Sequence, residues 1–308
     1  WKDMFHVANS MGSGGAEIRA LSALDIALWD IAGQVMEQPI YRVMGGPCRE
    51  RIRIYNTCSV RGKDGGQVFK EPEKLAESFL KEGISAIKVV LTDHLADEGH
   101  GYDFRAQDLA AAIAPLAKMR SAVGHDLDIA HDGHGKFSLT NAITVARAME
   151  DYDLLWQEEL LQPVNVETHL RLKQSTRTPI CGAERLQTRY QFRDYIEKGA
   201  FDYVMPDLVW TGGISEVKRI ATLAETYQLP LCPHDSVGPV NLFACAHVCM
   251  NVPNAALMET VRDVYQGWYL DVVEPPIPID EGYLKAPEEP GLGARLKESV
   301  WERDDLVI

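Results

Sequence analysis

The chain has 308 residues, of which 46% are hydrophobic and 25% are charged, a length that allows one large domain or two smaller ones. The formal net charge of −14 argues against binding to nucleic acid or to a membrane surface, because either partner usually requires a basic face. No apolar run approaches the length of a membrane helix, and the six cysteines lack zinc-like spacing, which predicts free thiols in a reducing cytoplasm.

Short apolar runs alternate with amphipathic helical segments along most of the chain. The segment 71–83 has Leu75 and Phe79 on one helical face and ends at Gly83, and the segment 212–228 shows the same helical spacing. Eight runs are predicted to be strands: 52–57, 85–90, 127–132, 154–159, 179–184, 202–207, 230–235 and 255–260. Eight strands that alternate with helices predict an α/β fold of parallel βαβ units closed into a barrel.

An ionisable residue recurs at the carboxyl end of each predicted strand from the third to the eighth. These residues are Asp132, Glu158, Glu184, Asp207, His234 and Glu259, with spacings of 26, 26, 23, 27 and 25 residues. One βα unit has about that length, since about 250 residues form the eight units of a barrel. The residue two positions earlier shares the same face of each strand and is small or apolar: Ala130, Trp156, Gly182, Met205, Cys232 and Leu257. The six polar side chains are therefore predicted to ring the mouth of the barrel, although any one alone would be interpreted as a helix N-cap.

Asp132, Glu158 and Glu184 would end three adjacent strands and bring three carboxylates together. Like charges about 4 Å apart repel by about 4 kcal/mol at an effective dielectric of about 20, so the group needs protons or a divalent cation. An all-oxygen ligand set favours Mg²⁺, with Mn²⁺ as the substitute, and disfavours zinc. Glu159 is the neighbouring alternative, but the spacing and the interior face select Glu158.

Asp207 and His234 would end neighbouring strands elsewhere on the mouth. A carboxylate beside an imidazole fixes its tautomer and raises its basicity, so the pair predicts a general base, with a purely structural pair as the alternative. His134 lies two residues beyond Asp132 on the same face, where it is predicted to deliver a proton to a group held by the metal. Glu259 is predicted to hydrogen-bond a substrate carboxylate.

Other polar residues near the strand ends have minor predicted roles. Lys88 faces the interior and is expected to neutralise a carboxylate at the site or to contact the substrate, and Lys136 is expected either to contact the substrate or to be solvated. The segment 91–104 is an insertion after the second strand that is expected to cover the mouth. His131 is expected to face the helices, and Asp235 is expected to be solvated in a loop.

Several motifs occur in a fixed order along nearly the whole chain. They are SALDIALWDIAGQ (22–34), YRVMGG (41–46), the three acidic strand ends, MPD (205–207), PHDSVGP (233–239), MET (258–260) and EGYLKAPEEPGLGARL (281–296). In this order and spacing the chain resembles the enolase superfamily, in its mandelate racemase subgroup. The resemblance implies that the three acids are metal ligands and that the Asp–His pair is catalytic.

The sequence departs from the common pattern of that subgroup at two positions. Racemases and cycloisomerases of this kind commonly carry Lys-x-Lys at the end of the second strand, whereas here Lys88 is followed by Val90 at the second position. The Glu-Glu-Pro of the family is EEL (158–160) in this chain. The pattern Asp132-x-His134 is instead similar to that of sugar-acid dehydratases such as galactonate dehydratase.

The resemblance implies a TIM-like (β/α)7β barrel with the remnant of an N-terminal α+β capping domain. Residues 1–50 would be the last helices of the capping domain, 51–260 the barrel, and 261–308 a segment that returns to the capping domain. Most of the capping domain would then lie outside this sequence. The resemblance also implies a homo-oligomer.

The residues and the resemblance together predict a Mg²⁺-dependent dehydratase of a sugar acid, an aldonate or an aldarate, with one metal ion per subunit. His234, oriented by Asp207, would remove the proton next to the carboxylate to give a metal-stabilised enediolate. His134 would protonate the leaving hydroxyl, and the product would be a 2-keto-3-deoxy acid. The alternatives are a racemase or epimerase of a hydroxy or sugar acid, and a non-catalytic barrel that acts as a binding protein.

Overall fold

The computed structural model describes residues 1–12, 14–59 and 62–303, and no helix within these ranges is long and apolar enough to cross a membrane. Its strands are β1 (Arg51–Cys58), β2 (Ala86–Val89), β3 (Asp128–Asp132), β4 (Gln157–Glu158), β5 (Ile180–Gly182), β6 (Tyr203–Val204), β7 (Met258–Thr260), β8 (Val273–Glu274), β9 (Ile279–Asp280), β10 (Tyr283–Lys285) and β11 (Arg295–Leu296). Its α-helices are α1 (Lys2–Asn9), α2 (Ala16–Val35), α3 (Ile40–Val43), α4 (Lys63–Lys70), α5 (Pro72–Lys81), α6 (Asp93–Gly99), α7 (Ala106–Val123), α8 (Leu139–Ala148), α9 (Val166–Lys173), α10 (Thr188–Glu197), α11 (Leu208–Thr211), α12 (Gly213–Thr226), α13 (Pro239–Asn251), α14 (Arg262–Tyr265) and α15 (Tyr269–Val272).

The strands of the central sheet form a closed ring. Strands β1 to β6 pair in parallel with their neighbours in chain order, and β7 returns to pair in parallel with β1. Between β6 and β7, Leu231 bridges Val204 on one side and Ala255 on the other, which closes the ring. The predicted strand 230–235 is reduced to isolated bridges because its two prolines have no N–H to donate to a ladder. The predicted α/β, TIM-like barrel is confirmed.

The barrel has a small apolar interior that is separate from the main core. Its members are Tyr55, Ala86, Ala130, Trp156, Cys181, Met205, Cys232 and Leu257. Tyr55 and Trp156 meet edge to face with ring centroids 5.2 Å apart, so aromatic rings fill the space below the mouth. Five of the six predicted interior residues belong to this group, and the exception is in β5. A much larger apolar core lies between the strands and the surrounding helices.

Two helices predicted from apolar spacing are confirmed. The segment 71–83 contains α5, which begins with Pro72 at its first position, and the segment 212–228 contains α12. Gly83 follows the end of α5 with φ of 76°, a left-handed conformation that glycine adopts without steric cost. The helical period therefore located both elements correctly.

The chain before and after the barrel packs directly on it. Strand β10 pairs antiparallel with the start of β1, with Arg51 opposite Lys285, at the end of the barrel away from the mouth. Helix α2 docks on α12 because Asp25 accepts hydrogen bonds from the backbone and the hydroxyl of Ser215 at 2.9 and 2.6 Å. The division of the chain at residues 50 and 260 stays a prediction.

Candidate active site

Three carboxylates meet at the mouth of the barrel, where three adjacent strands end. Asp132 is the last residue of β3, Glu158 is the last residue of β4, and Glu184 follows β5 by two residues. Asp132 and Glu158 are register partners, which sets them side by side. One carboxylate oxygen from each of the three residues lies within 4.8 Å of the others, and all three side chains are buried. The structure thus brings together the three acids that the spacing singles out.

Glu184 joins this carboxylate cluster by a route that simple strand alternation does not predict. The interior position of β5 belongs to Cys181, whereas a side chain at Gly182 would meet Phe201 in the outer core. Ala183 then adopts φ of 92°, which interrupts the alternation of the strand. The chain therefore turns Glu184 back toward the mouth. The prediction that Gly182 faces the interior is wrong for this reason.

Glu159, the alternative to Glu158, lies outside the carboxylate cluster. Its carboxylate pairs with the guanidinium of Arg185 and accepts a hydrogen bond from the backbone N–H of Ala183 at 3.3 Å. Arg185 also lies 2.9 Å from a carboxylate oxygen of Glu184. Glu159 is thus held by Arg185, which it shares with Glu184, and by the backbone of Ala183, and the geometry favours Glu158 as the member of the cluster.

Lys88 lies among the acids at the mouth. Its side chain is buried, and Nζ contacts Glu158 and lies 2.9 Å from Glu259 and 3.4 Å from Asp132. Burial by itself would lower the pKa of Lys88, but the surrounding carboxylates raise the pKa well above its ordinary value. The amine is therefore charged, and it contacts three carboxylates where the sequence suggested one.

A single lysine does not balance the acids around it. Burial raises the pKa of Glu158 to about 8; Lys88 opposes this increase, whereas the charges of Asp132 and Glu259 add to it. Burial also raises the pKa of Glu184. A divalent cation between the three carboxylate oxygens would offset both the desolvation and the repulsion, and oxygen ligands of this kind suit Mg²⁺, Mn²⁺ or Ca²⁺. The carboxylate cluster therefore fits a metal ion.

Replacing Lys88 with methionine is expected to destabilise the metal-free protein by about 3–5 kcal/mol, the usual cost of removing one partner of a buried ion pair. Methionine keeps much of the volume, so the lost charge is the main change. Urea unfolding in the presence of EDTA measures the effect, and Lys285→Met on the exposed face of β10 is the control. Equal unfolding midpoints for the Lys88 and Lys285 variants would show that the acids do not depend on Lys88.

His234 and Asp207 form a buried pair beside the carboxylate cluster. Oδ1 of Asp207 caps α11 by accepting hydrogen bonds from the backbone N–H groups of Val209 and Trp210 at 2.8 and 3.1 Å. Oδ2 of Asp207 lies 2.7 Å from Nδ1 of His234. Because Asp207 engages Nδ1, the other ring nitrogen, Nε2, faces Glu184 at 3.3 Å. The helix cap fixes the orientation of the Asp207 carboxylate, and this carboxylate fixes the orientation of the His234 imidazole.

The charges around His234 favour its protonated form. Burial alone would lower the pKa of His234, but the carboxylates of Glu184, Glu259 and Asp207 raise it to about 10. The indole of Trp210 packs against the imidazole with ring centroids 5.0 Å apart. The ring is therefore an imidazolium in this arrangement of charges, and it must lose that proton before it can accept one from a substrate. What suits His234 to the role of a general base is its geometry, since Asp207 fixes the ring and leaves Nε2 directed at the carboxylate cluster.

His134 lies at the other end of the carboxylate cluster. Its Nε2 is 3.4 Å from Oδ2 of Asp132, and its Nδ1 is 2.9 Å from Oδ2 of Asp93 at the start of α6. His134 therefore borders the first acid of the cluster, while His234 borders the last, Glu184. The two imidazoles flank the group from both sides.

Glu259 is held by three hydrogen-bond donors of the protein. Its Oε1 accepts from the hydroxyl of Thr57 and lies 2.9 Å from Lys88, and its Oε2 accepts from the backbone N–H of Asp235 at 3.0 Å. Asp235 itself is buried, and its carboxylate accepts a hydrogen bond from Asn241 in α13 at 3.0 Å. The expectation that Asp235 is solvated is wrong, because α13 packs its first turn over this loop.

The remaining predicted residues have clear positions. Nζ of Lys136 pairs with Asp93 at 3.0 Å and with Asp97 at 2.8 Å, so the lysine near the mouth is neither free nor simply solvated. His131 is fully buried and faces the helix side, as expected. The segment 91–104 contains α6, which supplies Asp93 to the site.

Three contributors to the site were not recognised in the sequence: Asp93, Thr57 and Arg185. Each of them lies at or just after the carboxyl end of a predicted strand. Many polar residues of a barrel share that position, so it does not single these three out. Strand alternation could have identified Thr57, because Thr57 shares the interior face of β1 with Tyr55. Asp93 begins α6 and Arg185 lies in a turn, so the alternation of a strand gives no direction for either side chain.

The sequence model of the family described as Enolase C-terminal domain-like matches residues 71–300. D-xylonate dehydratase of Haloferax volcanii is 32% identical over 289 residues, an overlap that covers 92% of this chain and 68% of that protein. D-galactonate dehydratase of Ralstonia pickettii is 30% identical, and the overlap covers 97% of this chain and 77% of that protein.

A solved structure shows the same likeness in three dimensions. It is an enolase of the mandelate racemase subgroup from Agrobacterium tumefaciens, with a TM-score of 0.87 and 37% sequence identity. The superposition covers 94% of this chain and 75% of that one. The likeness therefore extends over nearly all of this chain in both sequence and fold.

Proposed function

Because the chain belongs to the Enolase C-terminal domain-like family of the enolase superfamily, we propose that it is a Mg²⁺-dependent dehydratase of a sugar acid. Its curated relatives include proteins named as dehydratases of D-xylonate, arabinonate and D-galactonate, which supports a C5 or C6 aldonate as the substrate class. An aldarate is the second choice of substrate. The product would be the 2-keto-3-deoxy acid.

One observation carries the proposal. A cluster of three buried carboxylates that fits a metal ion is bordered at one end by His134 and at the other by His234. Elimination of water needs a base for the proton on the carbon next to the carboxylate and an acid for the hydroxyl on the following carbon. Two imidazoles at opposite ends of one anionic site can supply these two functions to a single substrate.

Asp132, Glu158 and Glu184 would hold the metal ion. When bound, it would neutralise negative charge as that charge develops on the substrate carboxylate. Nε2 of His234 would take the α-proton, since Asp207 occupies Nδ1. The electron pair of that C–H bond forms the enediolate.

Collapse of the enediolate would expel the β-hydroxyl. Nε2 of His134 would give a proton to this hydroxyl, which leaves as water when its C–O bond breaks. The enol that remains tautomerises to the keto acid, so the atoms and charges balance without an oxidant or a reductant. His134 is suited to this step because Asp93 holds Nδ1 and leaves Nε2 directed at Asp132.

Glu259 and the two lysines would have supporting roles. Both oxygens of Glu259 already accept hydrogen bonds within the protein, so we assign it to holding Lys88 and the loop at Asp235. Direct hydrogen bonding of Glu259 to a substrate carboxylate stays a prediction. Lys88 would limit the repulsion among the acids, and Lys136 would act through Asp93.

Replacing His134 with asparagine is expected to separate the two halves of the reaction. The loss of the acid should lower keto-acid formation by about 10²–10⁴-fold, while exchange of the α-proton with deuterium continues through His234. The wild type is first screened with Mg²⁺ against a library of aldonates and aldarates. Semicarbazide detects the keto acid, and NMR in deuterated water detects exchange.

Replacement of the exposed His6 with asparagine is the control for this experiment and should change neither rate. A wild type that yields only α-deuterated, inverted substrate and no keto acid would replace the dehydratase proposal with the epimerase alternative. A wild type with neither activity and no Mg²⁺ binding by calorimetry would indicate a non-catalytic barrel.

A further inference from the structure

Asp93 is an acid in the segment after β2 that reaches across to the loop after β3. Its Oδ2 lies 2.9 Å from Nδ1 of His134. We infer that Asp93 is a positioning residue for His134, which it holds with Nε2 directed toward the site where the β-hydroxyl leaves. This inference rests on the proposed dehydratase function, and it adds a residue to that function that acts only through His134.

The imidazole of His134 lies between two carboxylates. Asp93 contacts Nδ1, and Oδ2 of Asp132 lies 3.4 Å from Nε2. The two ring nitrogens are thus assigned to different neighbours, one at the rim and one in the carboxylate cluster. If Asp93 were absent, either nitrogen could turn toward Asp132, because that carboxylate can accept from both.

The local chain does little to hold this imidazole. His134 has φ of 50° and lies between Gly133 and Gly135, so its neighbours in sequence offer no side chains to pack against. Its side chain is 32% exposed. An imidazole in such surroundings can adopt several rotamers. A fixed hydrogen-bond acceptor at Nδ1 restricts it to one rotamer before substrate binds.

Asp93 is itself fixed from the side of the β3 loop. Nζ of Lys136 lies 3.0 Å from its Oδ2, and the backbone of Lys136 forms a bridge with Leu161. The side chain of Asp93 is 18% exposed, which limits how far water can compete with His134 and Lys136 for its carboxylate. Lys136, Asp93 and His134 therefore form one connected set that joins two loops of the mouth.

The test compares Asp93→Ala with Asp97→Ala. Both acids lie on α6 and both contact Lys136, but only Asp93 reaches His134. Asp93→Ala is expected to lower keto-acid formation at least about 10-fold, less than the loss of about 10²–10⁴-fold on removing the acid itself. Exchange of the α-proton, which depends on His234, should stay within about 2-fold of the wild type, and Asp97→Ala should leave both rates unchanged.

A double variant checks that Asp93 acts through His134. In the His134→Asn background, the further change Asp93→Ala should alter neither rate, because the residue that it positions is gone. A further loss in that background, an equal loss of exchange and dehydration in the single variant, or no loss at all would overturn the inference.

Crystal structures of the wild type and of Asp93→Ala give a readout that does not depend on turnover. One imidazole rotamer with Nδ1 at Asp93 is expected in the wild type, and a different rotamer or several are expected in the variant. The same single rotamer in both proteins would overturn the inference. A wild type that dehydrates no sugar acid contradicts the proposed function instead, and the rotamer comparison still decides the positioning role.

Discussion

Replacing His234 with asparagine is expected to abolish exchange of the α-proton and to lower dehydration by about 10²–10⁴-fold, the usual contribution of a general base. Asparagine can still donate a hydrogen bond to Asp207, whose other oxygen caps α11, so the fold at the mouth should persist. The side chain has no basic nitrogen, however. Deuterium incorporation next to the carboxylate and the rate of keto-acid formation measure the two effects.

Both rates should fall together in this variant, because removal of the proton precedes loss of the hydroxyl. That result differs from the one expected for His134→Asn, in which exchange survives. Replacement of His125, which is exposed on the surface, with asparagine is the matched control. Wild-type exchange in the His234 variant would show that another group is the base.

Replacing Glu158 with glutamine is expected to weaken Mg²⁺ binding at least about 100-fold. Mutation of residues that only support a metal ligand commonly weakens metal binding by about 10–100-fold, and Glu158 is itself a proposed ligand. The change removes one of three charged ligands and leaves Lys88 against an amide. Calorimetric titration of protein dialysed against EDTA measures the affinity. Dehydration should be lost on chelation and should return with Mg²⁺ only in proteins that bind it.

Glu159→Gln is the control, because Glu159 is adjacent in sequence, similarly buried and paired with Arg185 outside the carboxylate cluster. At about 100 times its dissociation constant, Mg²⁺ should stabilise the wild type and Glu159→Gln by about 2.7 kcal/mol, seen as a higher Tm. The same Mg²⁺ concentration should stabilise Glu158→Gln by at most about 0.4 kcal/mol, since it would not exceed the weakened dissociation constant of this variant. If Glu159→Gln lost the metal instead, the ligand assignment would be off by one residue.

The barrel could be predicted because its signals are local and repeated. Strand alternation and the length of one βα unit both depend on neighbouring residues, so five of the six predicted interior side chains follow from the spacing. The same regularity grouped Asp132, Glu158 and Glu184, and the structure brings their oxygens within 4.8 Å of one another. Repulsion among three neighbouring acids by itself predicts a cation at this site.

The phase of β5 could not be predicted in the same way. A single residue, Ala183, leaves the extended conformation, with φ of 92°, so Glu184 does not share a strand face with Gly182. The sequence prediction of Glu184 at the mouth succeeded although the residue assigned to the interior, Gly182, was wrong. Spacing between units was more reliable here than alternation within one strand.

The amino-acid sequence by itself determined the barrel, the acidic strand ends and the Asp207–His234 pair, since each depends on a repeating backbone geometry. Only the tertiary structure decided that Lys88 contacts three carboxylates, that Asp235 is buried and that Asp93 reaches His134. These contacts join residues on different strands and loops. Their geometry depends on how the closed ring brings the loops together, and no local pattern in the sequence encodes that distance.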